Sequence, residues 1–428
     1  MGHQVVCVDH NADRIRSLQQ GSLPVFESHL SDLILRSLSS GAITFTTDMA
    51  SPLRSSTAIF LCIGVPQLEN GDSDFAALDS AAGQIARVVD SSKLIVVRST
   101  VPVRTGEQLK HLLHVTAPHP LARFKVAANP QFLHEGEAID GFLHPSRILL
   151  GVEDAESEST LLEIYSPILQ QDFQCPIHNR NCPSRTPPQL LLTTVKSTEL
   201  IKQASNSYLA MKISYANVLA DLCERLGGDV QEVTHAMGLD RRINSSFLQA
   251  GIGFGGDRLP KDLRAFCKLL RTEGVDSGIP QASENANLQR IDSFFQKIQS
   301  SLWVLKGKKL GLLGLSHKPN TNDIRSSPAI KLARRLSTAG ARIAAFDPQA
   351  LSDARASFPE FNYCPDPYVA ADRADALLLL TEWEEFRRLD WQRIRNLMAR
   401  PLILDGRNFL SPAQMKSLGF EYISVGRP

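Results

Sequence analysis

Short apolar runs alternate with helix-length stretches through the first 150 residues: Val5 to Val8, Ile43 to Phe45, Ala58 to Ile63, Leu94 to Val97, Val126 to Ala128 and Ile148 to Leu150. Runs rich in Val, Ile and Leu, separated by room for a helix, predict a doubly wound parallel sheet whose strands are covered on both faces. From Thr198 to Leu226 neither Gly nor Pro interrupts, and Ile201, Ala204, Leu209, Ile213, Ala216, Leu219 and Leu222 recur at helical spacing. That predicts one long helix closing at Gly227-Gly228. A glycine-rich loop after Gly251 leads into Pro260, suited to the first turn of another helix. Pro280 and the polar stretch after it precede a second α/β pattern: strands at Leu310 to Leu315, Ile343 to Phe346, Ala376 to Leu380 and Leu402 to Leu404, with a helix at Pro328 to Thr338. Gln174 to Gln189, with Pro176, Pro183, Pro187 and Pro188, reads as an exposed connector. The fold class is therefore α/β: two Rossmann-like domains, 1–188 and 299–428, joined by a helical middle domain, 189–298.

The length of 428 residues fits about three domains at roughly 150 residues each. Lys plus Arg number 46 against 45 Asp plus Glu, which gives no reason to expect nucleic acid or an anionic membrane as partner. No apolar run reaches the roughly 18 residues of a membrane span and no leader pattern opens the chain, so a cytoplasmic protein is expected. Met1-Gly2 lacks the Ser or Thr at position 6 that myristoylation favours, Val6 standing there instead. Seven scattered cysteines read as reduced thiols. Cys175, His178 and Cys182 supply three soft ligands without the usual C-x2-4-C spacing, so they read as part of a plain loop and no metal is expected.

Two segments repeat. Gly340 to Asp347 and Gly2 to Asp9 are each a Gly turn, an apolar strand and a terminal Asp. In a dinucleotide fold an Asp at the end of the second strand accepts hydrogen bonds from ribose hydroxyls, which makes Asp9 a candidate NAD ligand; an Asp that merely ends a strand is the plain alternative. The later copy follows a strand, a turn and a helix, whereas only Met1 precedes Gly2. The first strand, glycine turn and helix of the N-terminal domain are thus expected to be missing, through either a misplaced start in the gene model or a genuine truncation. In the order 3-2-1-4-5-6 the missing strand is central, between the strands at Val5 and Ala58. Its absence leaves backbone groups on both sides unpaired, each costing about 1 to 3 kcal/mol if dry.

Several segments in order resemble the UDP-glucose/GDP-mannose (nucleotide-sugar) 6-dehydrogenase family, with its UDP-glucose branch the nearest fit. They are Gly2 to Asp9, Arg98 to Val103, Ala128 to Gly136, Glu199 to Asn206, Gly253 to Asp262, His317 to Thr321, Asp323 to Arg325 and Asp405 to Asn408. The resemblance implies an NAD-binding domain, a helical centre that mediates dimers and a C-terminal domain that binds a UDP-sugar. The implied chemistry oxidises a sugar 6-hydroxyl to a carboxylate with two NAD, through a cysteine thiohemiacetal and thioester.

Carried over by motif, Lys202 and Asn206, at i and i+4 on one helix, aim a cation and an amide at the sugar O6; a solvated helix face is the alternative. Thr100 ends a strand at the sheet's carboxyl edge, where it meets substrate and cofactor. Asp262 orients water and the lysine, or is only an N-terminal helix charge. Gly253, Gly255 and Gly256 permit backbone approach to a ligand or simply make a turn. Phe132, Leu133, Arg242, Phe247, Lys318 and Arg407 match substrate-contacting positions, and Glu135 and Arg325 cofactor-contacting ones, with exposed salt bridges as the alternative for the charged residues.

The pattern breaks in three places. The family segment Gly-Gly-Ser-Cys-Phe-Pro-Lys-Asp here reads Gly255-Gly256-Asp257-Arg258-Leu259-Pro260-Lys261-Asp262, with Arg258 in the nucleophile's position. A guanidinium stays protonated and cannot add to an aldehyde. Gln131 stands where the family usually has a Glu credited with activating water, and an amide is no base at pH 7. Arg104 replaces a usual glycine and is expected to crowd the same cleft. Three readings remain: a dehydrogenase scaffold that cannot complete the four-electron oxidation, a UDP-sugar or UDP-uronate binding or regulatory pseudoenzyme, or an active UDP-glucose dehydrogenase with another mechanism. A homodimer, or a heterodimer with an active paralogue, is the expected assembly.

Overall fold

The computed structural model describes residues 2–68, 72–178, 182 and 186–427. The chain forms two compact units, Met1–Ser205 and Asn206–Pro428. In the first, strands β1 (Val5–Val8) and β2 (Ile43–Thr46) pair in parallel as a sheet of two. Strands β3 (Ala58–Leu61), β4 (Ser92–Val97), β5 (Arg123–Ala128), β6 (Arg147–Gly151) and β7 (Gln189–Thr193) form a separate sheet in that order. It is covered on both faces as the apolar runs require, but it is not parallel throughout: β3, β4 and β5 pair in parallel, as do β6 and β7, while β6 pairs antiparallel to β5. Along β4 the side chains alternate: Ile95 and Val97 pack with Leu78, Ile85, Leu109 and Leu113, while Leu94 and Val96 pack with Leu161, Tyr165 and Ile168.

In the second unit, β8 (Lys309–Leu313), β9 (Arg342–Phe346), β10 (Asn362–Tyr363), β11 (Ala376–Leu379), β12 (Leu402–Asp405) and β13 (Glu421–Ser424) lie in the order β10-β9-β8-β11-β12-β13, all parallel. This is the complete 3-2-1-4-5-6 arrangement, with β8 at its centre. The helical part comprises Val230–Leu239, Leu259–Thr272 and Gly278–Leu302. Pro280 lies within the first turn of the last of these, where its missing N–H costs nothing, and the polar stretch after it continues as helix. The helix Val195–Leu226 passes from the first unit into the second, is 32 residues long, about 48 Å, and ends at Gly227 with φ 78°.

Comparing the two repeats locates the gap. In the second unit β9 pairs with both β10 and β8, and four of its five residues are buried. Its counterpart β1 pairs only with β2, and β3 only with β4 among the described residues, so no strand stands where β8 stands in the complete copy. Val5 and Val6 are accordingly 46% and 45% exposed. The described strands of the first unit thus lie in two sheets, β1-β2 and β3-β4-β5-β6-β7.

One helix start in the first unit combines a strained residue with a buried carboxylate. Arg104 precedes the helix Thr105–Thr116 at φ 77°, a left-handed conformation that explains why a glycine is usual there. The arginine is exposed, so the expectation that it crowds a cleft gives way to one of local backbone strain. The amides of Arg104 and Gly106 donate to Glu199 Oε2 and Oε1 at 2.7 and 2.8 Å. Burial pushes the Glu199 carboxyl up to about 7, against the pull of those two amides.

Three outcomes are expected. Hydrogen exchange of the β1 amides will be at least about 100-fold faster than that of the β9 amides. Chemical denaturation will find Arg104→Gly more stable by about 1 kcal/mol. Glu199 binds its proton more tightly folded than unfolded, so its contribution is full below pH 4.5 and is lost as pH rises towards 7. Relative to Glu199→Gln, the unfolding free energy of the unmodified chain will therefore fall by up to about 3 kcal/mol over that window.

Candidate functional site

In the first unit, a pocket at the carboxyl ends of β4 and β5 is lined by Thr100, Val101, Pro130, Glu199 and Lys202. The strand ends put Thr100 there, and the helix Val195–Leu226 brings Glu199 and Lys202. Lys202 is buried, with its Nζ 4.7 Å from the centre of the Phe132 ring, and Arg147 lies 4.3 Å from the same ring. The aromatic face thus holds the lysine beside the pocket. Gln131, Leu133 and Glu135 are half-buried on the loop after β5.

In the second unit, Asn206 and Asp262 are both buried, and Asn206 Nδ2 donates to Asp262 Oδ2 at 2.5 Å. Asp262 lies in the first turn of the helix Leu259–Thr272, and Arg258 is the residue that precedes that helix. The glycines before it are there for packing. A Cβ on Gly255 would sit 2.4 Å from the Ser326 carbonyl oxygen, and one on Gly256, at φ 81°, would sit 2.8 Å from the His317 ring. The Gly256 amide donates to the Arg325 carbonyl, and the Phe254 amide to Asn287 Oδ1. Cys267 is fully buried, nine residues past Arg258 and so about 13 Å along the helix, and burial raises its thiol; it cannot serve as a substitute nucleophile.

Several motif residues are engaged within the unit. Arg407 donates to the carbonyls of Leu380, Gly253 and His317 and pairs with Glu382. It fastens the loop at Gly253 as well as facing the carboxyl ends of β8 and β11. Arg325 pairs with Asp323 and, at 3.3 Å, with Asp257. Asp257 stands in the position of the family's serine, so this ion pair comes with the altered segment. Arg242 is exposed and bonded to Asp240, while Phe247 and Lys318 are half-buried in loops. Sequence reasoning missed the Asn287 clamp and the backbone ties of Arg407, because both partners are distant along the chain.

The repeated aspartates differ in their work. Asp9 ends β1, accepting from the Asn11 amide at 2.9 Å and from Arg14 Nη1 at 2.8 Å. Its carboxyl is partly desolvated, yet these bonds hold it below the usual carboxylate range. A carboxylate has about four acceptor sites, so capacity remains for ribose hydroxyls. Asp347 is fully buried and accepts from the Leu315 and Ser316 amides of the turn after β8, and from Gln349, Ala350 and Trp383. It is a structural tie. The described residues thus fit the ribose end of NAD at Asp9.

Cys175, His178 and Cys182 are joined by His144, which follows the helix Ala138–Leu143, to make a cluster of four. Burial acts to raise the Cys175 thiol, but hydrogen bonding with the His144 ring, with the His178 and Ile177 amides and with the His178 ring brings it down to about 6.

Residues 1–169 match the NAD binding domain of the UDP-glucose/GDP-mannose dehydrogenase family, 196–289 its central domain and 311–412 its UDP binding domain. The UDP-glucose 6-dehydrogenase of Rhizobium meliloti (strain 1021) is 38% identical over 431 residues, covering 100% of this chain and 95% of that one. The UDP-glucose 6-dehydrogenase of Pseudomonas aeruginosa is 36% identical over 439 residues, covering 100% and 93%. The structure of a UDP-glucose dehydrogenase from Pyrobaculum islandicum aligns with a TM-score of 0.88 at 32% identity, over 99% of this chain and 92% of that one. With all three domains matched in order and the relatives aligned end to end, the chain belongs to the UDP-glucose/GDP-mannose dehydrogenase family.

Proposed function

We propose that this chain binds NAD and a UDP-sugar as its family does, but does not carry the sugar 6-hydroxyl through to the carboxylate. The observation that carries this reading is Arg258 at the head of the helix Leu259–Thr272, in the family's nucleophile position. The second oxidation needs a thiol that adds to the aldehyde, and then a base that directs water at the thioester. Arg258 stays protonated and offers no nucleophilic lone pair, and Gln131 is not a base. NAD, when bound, would accept hydride; the chain's own part is to hold the sugar. In this reading Thr100 and Lys202 line the pocket of the first unit, where the lysine offers its cation to the sugar, and in the second unit Asp262 fixes the Asn206 amide.

A second reading draws on the same arginine. Fixed positive charge at the position where the family forms its carboxylate favours a UDP-uronate over the neutral sugar, so the chain would bind the family's product and act as a regulatory subunit. Dimerisation through the central domain is supported by an exposed apolar stripe on the helix Val195–Leu226. Tyr208, Tyr215, Val218, Leu222 and Leu226 recur at helical spacing there and are 48% to 76% exposed. The partner would be a second copy or an active relative.

Calorimetry on the full chain with UDP-glucose, UDP-glucuronate and UDP tests both readings. Binding of UDP-glucose is expected, and no binding of any of the three overturns the proposal. Under the second reading Arg258→Ala weakens UDP-glucuronate by roughly 10- to 100-fold and leaves UDP unchanged. Equal loss for all three ligands, or no loss, rules that reading out.

A further inference from the structure

Four side chains of the first unit that belong to none of the family motifs converge at one point. Cys175 Sγ lies 3.4 Å from His144 Nε2 and 3.7 Å from His178 Nδ1. Cys182 Sγ lies 3.2 and 3.4 Å from the same two nitrogens. Each sulfur therefore faces both nitrogens, and all four ligand atoms fall within 4.8 Å of one another. Zinc bonds of about 2.3 Å to sulfur and about 2.0 to 2.1 Å to nitrogen, at tetrahedral angles, place S and N about 3.5 Å apart. The four observed distances bracket that edge.

The orientation of His144 is a second and independent sign. Gln171 is buried, and its Nε2 donates to the carbonyls of Leu143 and Ile168 at 3.0 and 2.8 Å. Its Oε1 must then face His144 Nδ1, 2.9 Å away, and can only accept. The proton of a neutral His144 is thereby placed on Nδ1, which leaves the Nε2 lone pair aimed at the two thiols. A ligating histidine held through its other nitrogen in this way is the usual outer-shell arrangement of a metal site. The backbone supports the sulfur too, the His178 amide donating to Cys175 Sγ at 3.4 Å. Phe173 stacks on the His144 ring at 5.7 Å and shields one side.

We propose that His144, Cys175, His178 and Cys182 form a tetrahedral Cys2His2 site for a structural Zn2+ ion. Two thiolates and two imidazoles select zinc over the hard cations. Four protein ligands close the coordination shell, so the ion stabilises structure and leaves no position for a reacting water. Binding displaces one proton from each thiol and forms two Zn–S and two Zn–N bonds, without redox change. The ion would tie the segment before β7 to the helix Ala138–Leu143. The proline-rich stretch is thereby half of a metal staple, and its spacing hid this because the fourth ligand lies 31 residues before Cys175.

The test uses the full chain purified under reducing conditions with zinc supplied, followed by gel filtration and elemental analysis. About one Zn2+ per chain is expected, with both thiols shielded from alkylation until a chelator is added. Cys175→Ser/Cys182→Ser is expected to lose the ion, and Cys62→Ser, altering an exposed cysteine outside the cluster, to retain it. Gln171→Leu should weaken zinc by about 10- to 100-fold. Should the double variant not fold, Co2+ substitution of the unmodified chain gives the readout, through thiolate charge-transfer and tetrahedral ligand-field absorption. A metal-free chain, a Cys175–Cys182 disulfide in place of the ion, or an octahedral cobalt spectrum would each overturn the proposal.

Discussion

The approach of the loop Gly251–Gly256 to the C-terminal sheet constrains much else in the second unit. At Gly255 and Gly256 there is room for hydrogen and not for carbon, since a side chain would strike the Ser326 carbonyl or the His317 ring. Arg407 fastens the same loop through the Gly253 carbonyl, and Asn287 clamps Phe254 on both its amide and its carbonyl. The loop therefore enters the helix Leu259–Thr272 in one place and at one angle. This fixes position 258 at the helix start and sets Asp262 against Asn206.

Under the proposed function, positioning and reactivity separate in this chain: the glycines, Arg407, Asn206 and Asp262 are held by packing and hydrogen bonds, while Arg258 stands in the nucleophile's position. Arginine and cysteine differ here in kind, because one side chain can become a nucleophile near neutral pH and the other cannot. The neighbouring Asp257 is absorbed into an ion pair with Arg325, so the altered segment packs without leaving its new charges isolated.

Local periodicity was legible. The strands at Val5, Ala58, Leu94 and Ala376, the helix Pro328–Thr338 and the stop at Gly227 all follow from apolar spacing and from glycine's tolerance of positive φ. The short strands β10 and β13, and β7 after the prolines, were missed because two to five residues carry too little pattern. Roles made by distant partners were hidden for a different reason. Nothing near Arg407 announces three backbone carbonyls, nothing near Asp347 announces the turn after β8, and nothing near Cys175 announces His144. Spacing reveals contacts within a turn or two of chain, while tertiary contacts depend on the fold.

The central claim is that family geometry persists here without the family's covalent step. Its most direct test is to incubate the full chain with UDP-glucose and excess NAD and to quantify UDP-glucuronate by chromatography and mass spectrometry. The account predicts no acid above the protein-free control, and no sugar-linked mass on the intact polypeptide. Accumulation of the acid with two NADH for each molecule formed would contradict it.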